Sequence, residues 1–262
     1  MMARIVHALS AGLGVAFLVL PIVVVMPLAF NDSTFLAYPM NGFTLRWFSV
    51  VFTKAPWMAS LANSLVIACG AMVLSLLVGG LAAVGTAQVG KIQQAVLSAL
   101  FISPLVLPSV IFGVAIAYAA ARVGATGTYL SLILAHTVLG APLVYVSIIN
   151  GLKGLDQDLE QAAASLGARR WYRFRTVILP LTLPSFLSGA LLAFMSSFDE
   201  VVVALFLSSP QTITLPIVLF SSLRDQLEPT LVVVSLLLTL LSMLLLIVLR
   251  VLDRRTAIAR KV

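Results

Sequence analysis

The dominant feature of this chain is a succession of long charge-free runs at 8–30, 57–90, 92–121, 123–152, 176–223 and 230–249, the fifth interrupted only by Asp199 and Glu200. Each is long enough for a helix to cross a hydrocarbon layer about 30 Å thick, which takes roughly 20 residues at 1.5 Å each. Backbone polar groups in lipid must be satisfied within their own segment, and a helix does that. Only 10% of the residues are charged, against about 25% in soluble domains, too few for a water-facing surface. The expected fold is therefore an all-α polytopic membrane protein with six transmembrane helices, near 8–30, 60–87, 94–121, 128–151, 178–206 and 229–251.

The first run exceeds the 7–15 or so residues of a signal-peptide core, and no small-x-small cleavage site follows it. It reads as a retained helix. With six spans, Arg4, Lys91, Lys153, Arg169, Arg170, Arg173, Arg175, Arg250, Arg254, Arg255, Arg260 and Lys261 fall on the side of both termini. Arg46, Lys54, Arg122 and Arg224 are left on the other. Cytoplasmic loops carry the excess of basic residues, so both termini are expected in the cytoplasm, and a seventh span would spoil the asymmetry. No turn is expected at 199–200, so 178–206 reads as one span.

The loop at 31–56 is then periplasmic, with Phe35, Tyr38, Trp47 and Phe48 suited to the membrane interface. Segment 210–228 is a second external element. Prolines 21, 27, 104, 108, 142 and 184 recur inside spans, where membrane helices tolerate them. Gly79, Gly80, Ala83, Gly113 and Ala117 suit close helix–helix contact.

Several chemistries are excluded. The net charge of +7 flanks apolar runs instead of forming one patch, which argues for membrane lipid and against nucleic acid. Cys69 is the sole cysteine, so neither a disulfide framework nor a thiolate metal site exists. His7 and His136 cannot form a cluster, and His136 reads as a helix-contact residue. Residues 85–92 approach the phosphate-loop pattern, but Ile92 stands where magnesium needs Ser or Thr, and the segment follows a span instead of a strand. No enzyme is expected, and no cofactor bound by this chain.

The longest cytoplasmic loop, 152–177, is unusual for a connector. Asp156 can cap a helix, Asp158 and Glu160 favour its positive end, and Gln161-Ala162-Ala163-Ala164 propagates it. Gly167 can end it in a left-handed conformation, with Arg169 and Arg170 at the negative end. A helix of about ten residues is unstable alone in water, so it needs something to dock against.

This stretch resembles the EAA loop of binding-protein-dependent ABC importer permeases: E-A-A, three residues, G, nine residues, I-x-L-P. The matching positions are Gln161, Ala162, Ala163, Gly167, Val177, Leu179 and Pro180. Gln161 replaces the glutamate and Val177 the isoleucine; Glu160 stands one position earlier, some 100° around the helix. Together with SSFDEVVVALFLSSPQTITLPIVLFSSL (196–223), the pattern resembles permeases of the spermidine/putrescine class over nearly the full chain.

The resemblance implies a type I (MetI-like) importer permease fold and a coupling role for Glu160, Gln161, Ala162, Ala163, Gly167, Leu179 and Pro180. It also implies a second homologous permease, a cytoplasmic ATP-binding subunit dimer that uses the ATP and magnesium, and a periplasmic solute-binding protein. The expected solute is a polyamine or related organic amine; an amino-acid-like compound, opine, phosphonate or iron is the alternative. An ion-coupled secondary transporter is the competing class, and it would need coupling-ion residues at broken helices near the midplane. For the solute pathway the candidates are Asp199, Glu200, Ser196, Tyr145 and Asn150. Ionisable residues in an apolar run face a cavity or a partner, so Asp199 or Glu200 lines the pathway, or they pair with Arg224 or mark the helix end at the outer interface.

Overall fold

The computed structural model describes residues 2–225 and 228–243. Its elements in chain order are α1 (Met2–Val25) with a 3₁₀ turn (Met26–Phe30), α2 (Arg46–Thr53), α3 (Trp57–Thr86), α4 (Lys91–Ile102) with a 3₁₀ turn (Ser103–Val106), and α5 (Ser109–Arg122). They continue as α6 (Tyr129–Lys153), α7 (Gln157–Ser165), α8 (Arg170–Arg173), a π-helical turn (Phe174–Ile178), α9 (Leu179–Phe198), α10 (Val202–Leu207) and α11 (Leu215–Asp225). The last described helix is α12 (Pro229–Met243).

Among the described residues four helices are long and apolar enough to cross a membrane, or five if the bent α4–α5 pair is one span. The expected sixth span, 229–251, begins in α12 and continues outside the described residues.

Two expected spans are not straight. α4 and α5 meet at 93°. The break lies at Leu107, which is extended (φ −73°, ψ 135°), because the ring of Pro108 disfavours helical geometry in the residue before it. The expected uninterrupted span at 178–206 is also corrected. Helix α9 ends at Phe198, and Asp199, Glu200 and Val201 turn the chain into the separate α10. At its other end this span starts earlier than expected, since α8 and the π turn run straight into α9. The π turn lies just ahead of Pro180, which has no N–H to offer the preceding turn.

The chain divides into two compact units, Ala59–Val218 and a second made of Met1–Met58 and Leu219–Val262. In the first, α6 and α9 pack antiparallel along a seam of small residues. A Cβ added at Gly140 would sit 3.2 Å from the Ala193 Cβ, and one at Gly189 3.1 Å from the Val144 Cα. The Ser147 hydroxyl donates to the Ser185 carbonyl at 2.8 Å, and His136 Nδ1 lies 2.7 Å from the Ser197 hydroxyl. Lipid offers no hydrophobic drive for helix association, so close backbone approach and interhelical hydrogen bonds must supply it.

Helix α3 packs on another face of α6, where Gly79 meets the Ala141 carbonyl and the Val144 side chain. Tyr145 closes the contact with α4 through a 2.6 Å hydrogen bond to Ser98 and ring contact with Phe101. Beyond the break, Val203, Ala204 and Leu207 of α10 are buried with Phe112 of α5 and Leu132 and Ala135 of α6. The segment from 208 to 214 is pinned by Asn63, whose amide donates to the Gln211 and Ile213 carbonyls at 3.0 and 2.9 Å.

In the second unit, Asn31 organises the 31–45 loop. Its side-chain oxygen accepts from the Asn41 N–H at 3.1 Å, and its carbonyl accepts from the Trp47 indole at 2.9 Å. Trp47 is thus buried, whereas Phe35 and Tyr38 are exposed.

The seam makes a specific demand at Gly189, since the Val144 backbone cannot yield to a side chain there. Gly189→Leu should lower stability by about 1–3 kcal/mol, read as a drop in thermal melting temperature in detergent. Gly12→Leu, where an added Cβ meets nothing within 4 Å, should leave it unchanged. Equal melting of both variants and the parent would refute the seam.

Candidate functional site

Helix α7 is fixed at both ends by its own sequence. The Asp156 carboxylate accepts from the Asp158 N–H at 3.0 Å, satisfying one of the donors a helix start leaves free. At the other end the Gly167 N–H donates to the Ala164 carbonyl at 2.9 Å and the Ala168 N–H to the Ala163 carbonyl at 3.1 Å. This pair of bonds is a Schellman closure, and Gly167 adopts the φ of +80° that it requires. The four arginines 169, 170, 173 and 175 follow immediately.

The helix sits where α6 ends and α8 begins, in contact with α8 and the π turn. Its start borders a small cavity of about 150 Å³, shared with Val84 of α3, Gln88 in the turn after it, and Val177 and Ile178 of the π turn. Its far end borders an open concavity of about 460 Å³ lined by Ala163, Leu166, Gly167, Arg169, Tyr172 and Val177. Gln161, Ala162 and Gly167 are exposed and Ala163 half-buried; the side chain of Glu160 lies outside the described residues. Leu179 and Pro180 follow the π turn, within the helix that continues from this loop.

Sequence reasoning passed over Leu166. It is 88% exposed at the tip of the Schellman turn, an apolar side chain presented where polar residues are the norm. The available signal was its position directly before the glycine stop, where a side chain is carried on a turn with no neighbour to cover it.

The pathway candidates are not gathered at one place. Asp199 is exposed at the end of α9, and Glu200 is half-buried, its carboxylate accepting from the Val203 N–H at 3.0 Å. Glu200 therefore caps α10. Ser196 is partly exposed one turn before the break. Tyr145 is 1% exposed and held by Ser98, so it serves the α4–α6 contact and faces no opening in this unit. Asn150 is exposed, but near the α7 end of α6. Because α6 and α9 are antiparallel, about 24 Å of helix separates its level from Asp199.

His136 is buried against Ser197, and its Nε2 has no hydrogen-bond partner among the described residues. Residues 85–92 form the end of α3, a turn and the start of α4, with no strand ahead of them. Among the described residues no group of His, Cys, Asp or Glu could hold a metal ion.

Residues 75–258 match the family model described as "Binding-protein-dependent transport system inner membrane component". Over 225 residues the chain is 35% identical to the putrescine transport system permease protein PotI of Escherichia coli K12, covering 83% of this chain and 79% of that one. It is 31% identical to the spermidine/putrescine transport system permease protein PotC of Haemophilus influenzae, over 92% of this chain and 93% of that protein. A putative 2-aminoethylphosphonate transport system permease protein, PhnV of Salmonella typhimurium, is 33% identical over 81% of this chain and 80% of its own length. In fold, the chain superposes with a TM-score of 0.73 on a chain of a bacterial ABC transporter involved in the import of the acidic polysaccharide alginate, at 15% identity and 95% coverage of both. The chain belongs to the inner-membrane components of binding-protein-dependent transport systems.

Proposed function

We propose that this chain forms one half of the translocation pathway of an ATP-driven importer for small organic amines, and that α7 is its point of attachment to a separate ATP-hydrolysing subunit. The observation that carries this reading is the self-contained α7, closed at both ends by its own residues, with exposed Gln161, Ala162 and Leu166 available to a partner. A nine-residue helix does not persist in water on its own strength; one that is capped twice and left uncovered is built to enter a groove. In this arrangement Leu166 and the alanines are the contact surface, and both chain termini and α7 lie in the cytoplasm.

The α6–α9 seam supplies the transmission. A displacement of α7 reaches α6 directly and α9 through α8 and the π turn, and the seam's backbone-close packing makes the two helices move as one body. At the far end that body carries the Asp199–Glu200 break and α10. Closure of two ATP-bound nucleotide subunits would draw paired α7 helices together and open the pathway at the α10 end. Solute delivered by an external binding protein would then enter, and hydrolysis would restore the resting state. A second, similar permease completes the pathway.

The solute class follows from relatives whose names give putrescine, spermidine or 2-aminoethylphosphonate; these compounds share a primary ammonium. Asp199, an exposed carboxylate at the break, is the group that meets it, whereas Glu200 is committed to α10.

Gly167→Leu should leave the membrane bundle folded, since nothing lies within 4 Å of the new Cβ, but strain the left-handed turn by about 1–2 kcal/mol. In the assembled transporter, uptake should fall about tenfold while basal ATP hydrolysis persists; unchanged coupled uptake would contradict the role of α7. The two carboxylates should separate cleanly. Asp199→Asn should reduce uptake of a diamine more than of a neutral analogue without changing the melting temperature, and Glu200→Ala should cost about 1 kcal/mol of stability through the lost cap. Equal losses for charged and neutral solutes in Asp199→Asn would remove Asp199 from the pathway.

A further inference from the structure

A groove of about 640 Å³ runs along the first unit between α3 and the α8–α9 helix. Leu77, Leu81 and Phe186 line its apolar length, and Arg170, Trp171 and Arg173 line its α7 end. From Arg173 to Phe186 the groove follows about 20 Å of helix at 1.5 Å per residue. One leaflet of a bilayer is about half of a roughly 30 Å core, so the groove has the depth of a headgroup region plus one acyl layer.

Its charge is one-sided. From Arg169 to Phe198 there is no acidic residue, while arginines occupy 169, 170, 173 and 175. The Arg46–Asp32 ion pair lies in the other unit. Arg173 Nε is buried and has no hydrogen-bond partner among the described residues. A guanidinium N–H without an acceptor is costly, and carboxylate and phosphate oxygens are the acceptors that match guanidinium geometry; residues 169–198 offer no carboxylate. Trp171 is 70% exposed and stacks on Phe174 with ring centroids 5.7 Å apart, the placement of an indole at a membrane–water boundary. A cationic solute would be repelled by these arginines.

We infer that this groove is a binding site for an anionic phospholipid of the leaflet on the α7 side, with its phosphate at Arg170 and Arg173 and an acyl chain along Leu77, Leu81 and Phe186. Arg173 and Trp171 belong to the helix that follows α7 directly, so the lipid occupies the joint between the loop and the spans. This site does not depend on which solute is carried, nor on which side of the membrane α7 faces.

The test is photo-cross-linking of the assembled transporter in phosphatidylcholine vesicles carrying a minor fraction of phosphatidylglycerol with a photoreactive acyl chain, followed by peptide mapping. Label should concentrate on residues 76–81 and around Phe186. It should fall on the order of tenfold to thirtyfold in R170Q/R173Q, given roughly 1 kcal/mol per basic residue at an anionic surface. R170K/R173K should retain most of it. Leu81→Trp, which fills the groove and leaves the charges in place, should lose the label as well, so that misfolding of the double glutamine variant cannot decide the outcome. Equal labelling by a phosphatidylcholine probe, unchanged labelling in both R170Q/R173Q and Leu81→Trp, or protection of the groove by a protein subunit would overturn the site.

Discussion

The antiparallel contact between α6 and α9 sets the geometry of everything the first unit presents. Its register places Gly140 opposite Ala193, Val144 opposite Gly189, and Ser147 and Gly151 opposite Ser185. In lipid, apolar side chains gain nothing by leaving one hydrocarbon surface for another. What binds these helices is dispersion at close range and the hydroxyl and imidazole bonds across the seam. Small residues at each crossing make that range possible. A wider side chain at Gly189 would have to displace backbone, not a flexible neighbour, so the contact has little tolerance.

Two unlike features hang from the ends of this pair. At one end the chain leaves α6, forms α7 and returns through α8, so the loop is tethered to both members of the seam within a few residues. At the other, α9 stops at Phe198 and the chain redirects into α10, whose Val203 and Leu207 are buried beside α5 and α6. Glu200 holds the start of α10 while its neighbour Asp199 stays exposed. Adjacent carboxylates, about 100° apart on a helix, have been given different tasks by the break between α9 and α10.

The bounds of α7 were legible because they are local: Asp156 and Gly167 make their bonds within the loop itself, and no other part of the fold is needed to read them. The apolar helices were legible for the same reason. The break at 199–201 was not. No glycine or proline stands there; past the break Val203, Ala204 and Leu207 are buried with residues of α5 and α6, a tertiary contact that local propensity does not encode. Pro108 reads in the sequence as one more tolerated proline, and prolines at 21, 142 and 184 do lie inside helices that continue, so a proline alone does not distinguish a bend of 93° from a tolerated insertion. Tyr145 looked like a polar group in a pathway because its hydroxyl partner, Ser98, lies on another helix. The burial of Trp47 was not legible because its acceptor is a backbone carbonyl sixteen residues away.

Rigidity of the α6–α9 body between α7 and α10 is the point on which the proposed transmission stands, and distance measurement addresses it directly. Spin labels on Ala162 and Leu205, both exposed, should report the same separation in the nucleotide-free and ATP-bound transporter, while, in the proposed pairing with a second permease, the separation between the two Leu205-equivalent ends changes. A shift in the Ala162–Leu205 distance between those states, with the ends of the permeases unmoved, would mean that the seam yields instead of carrying motion.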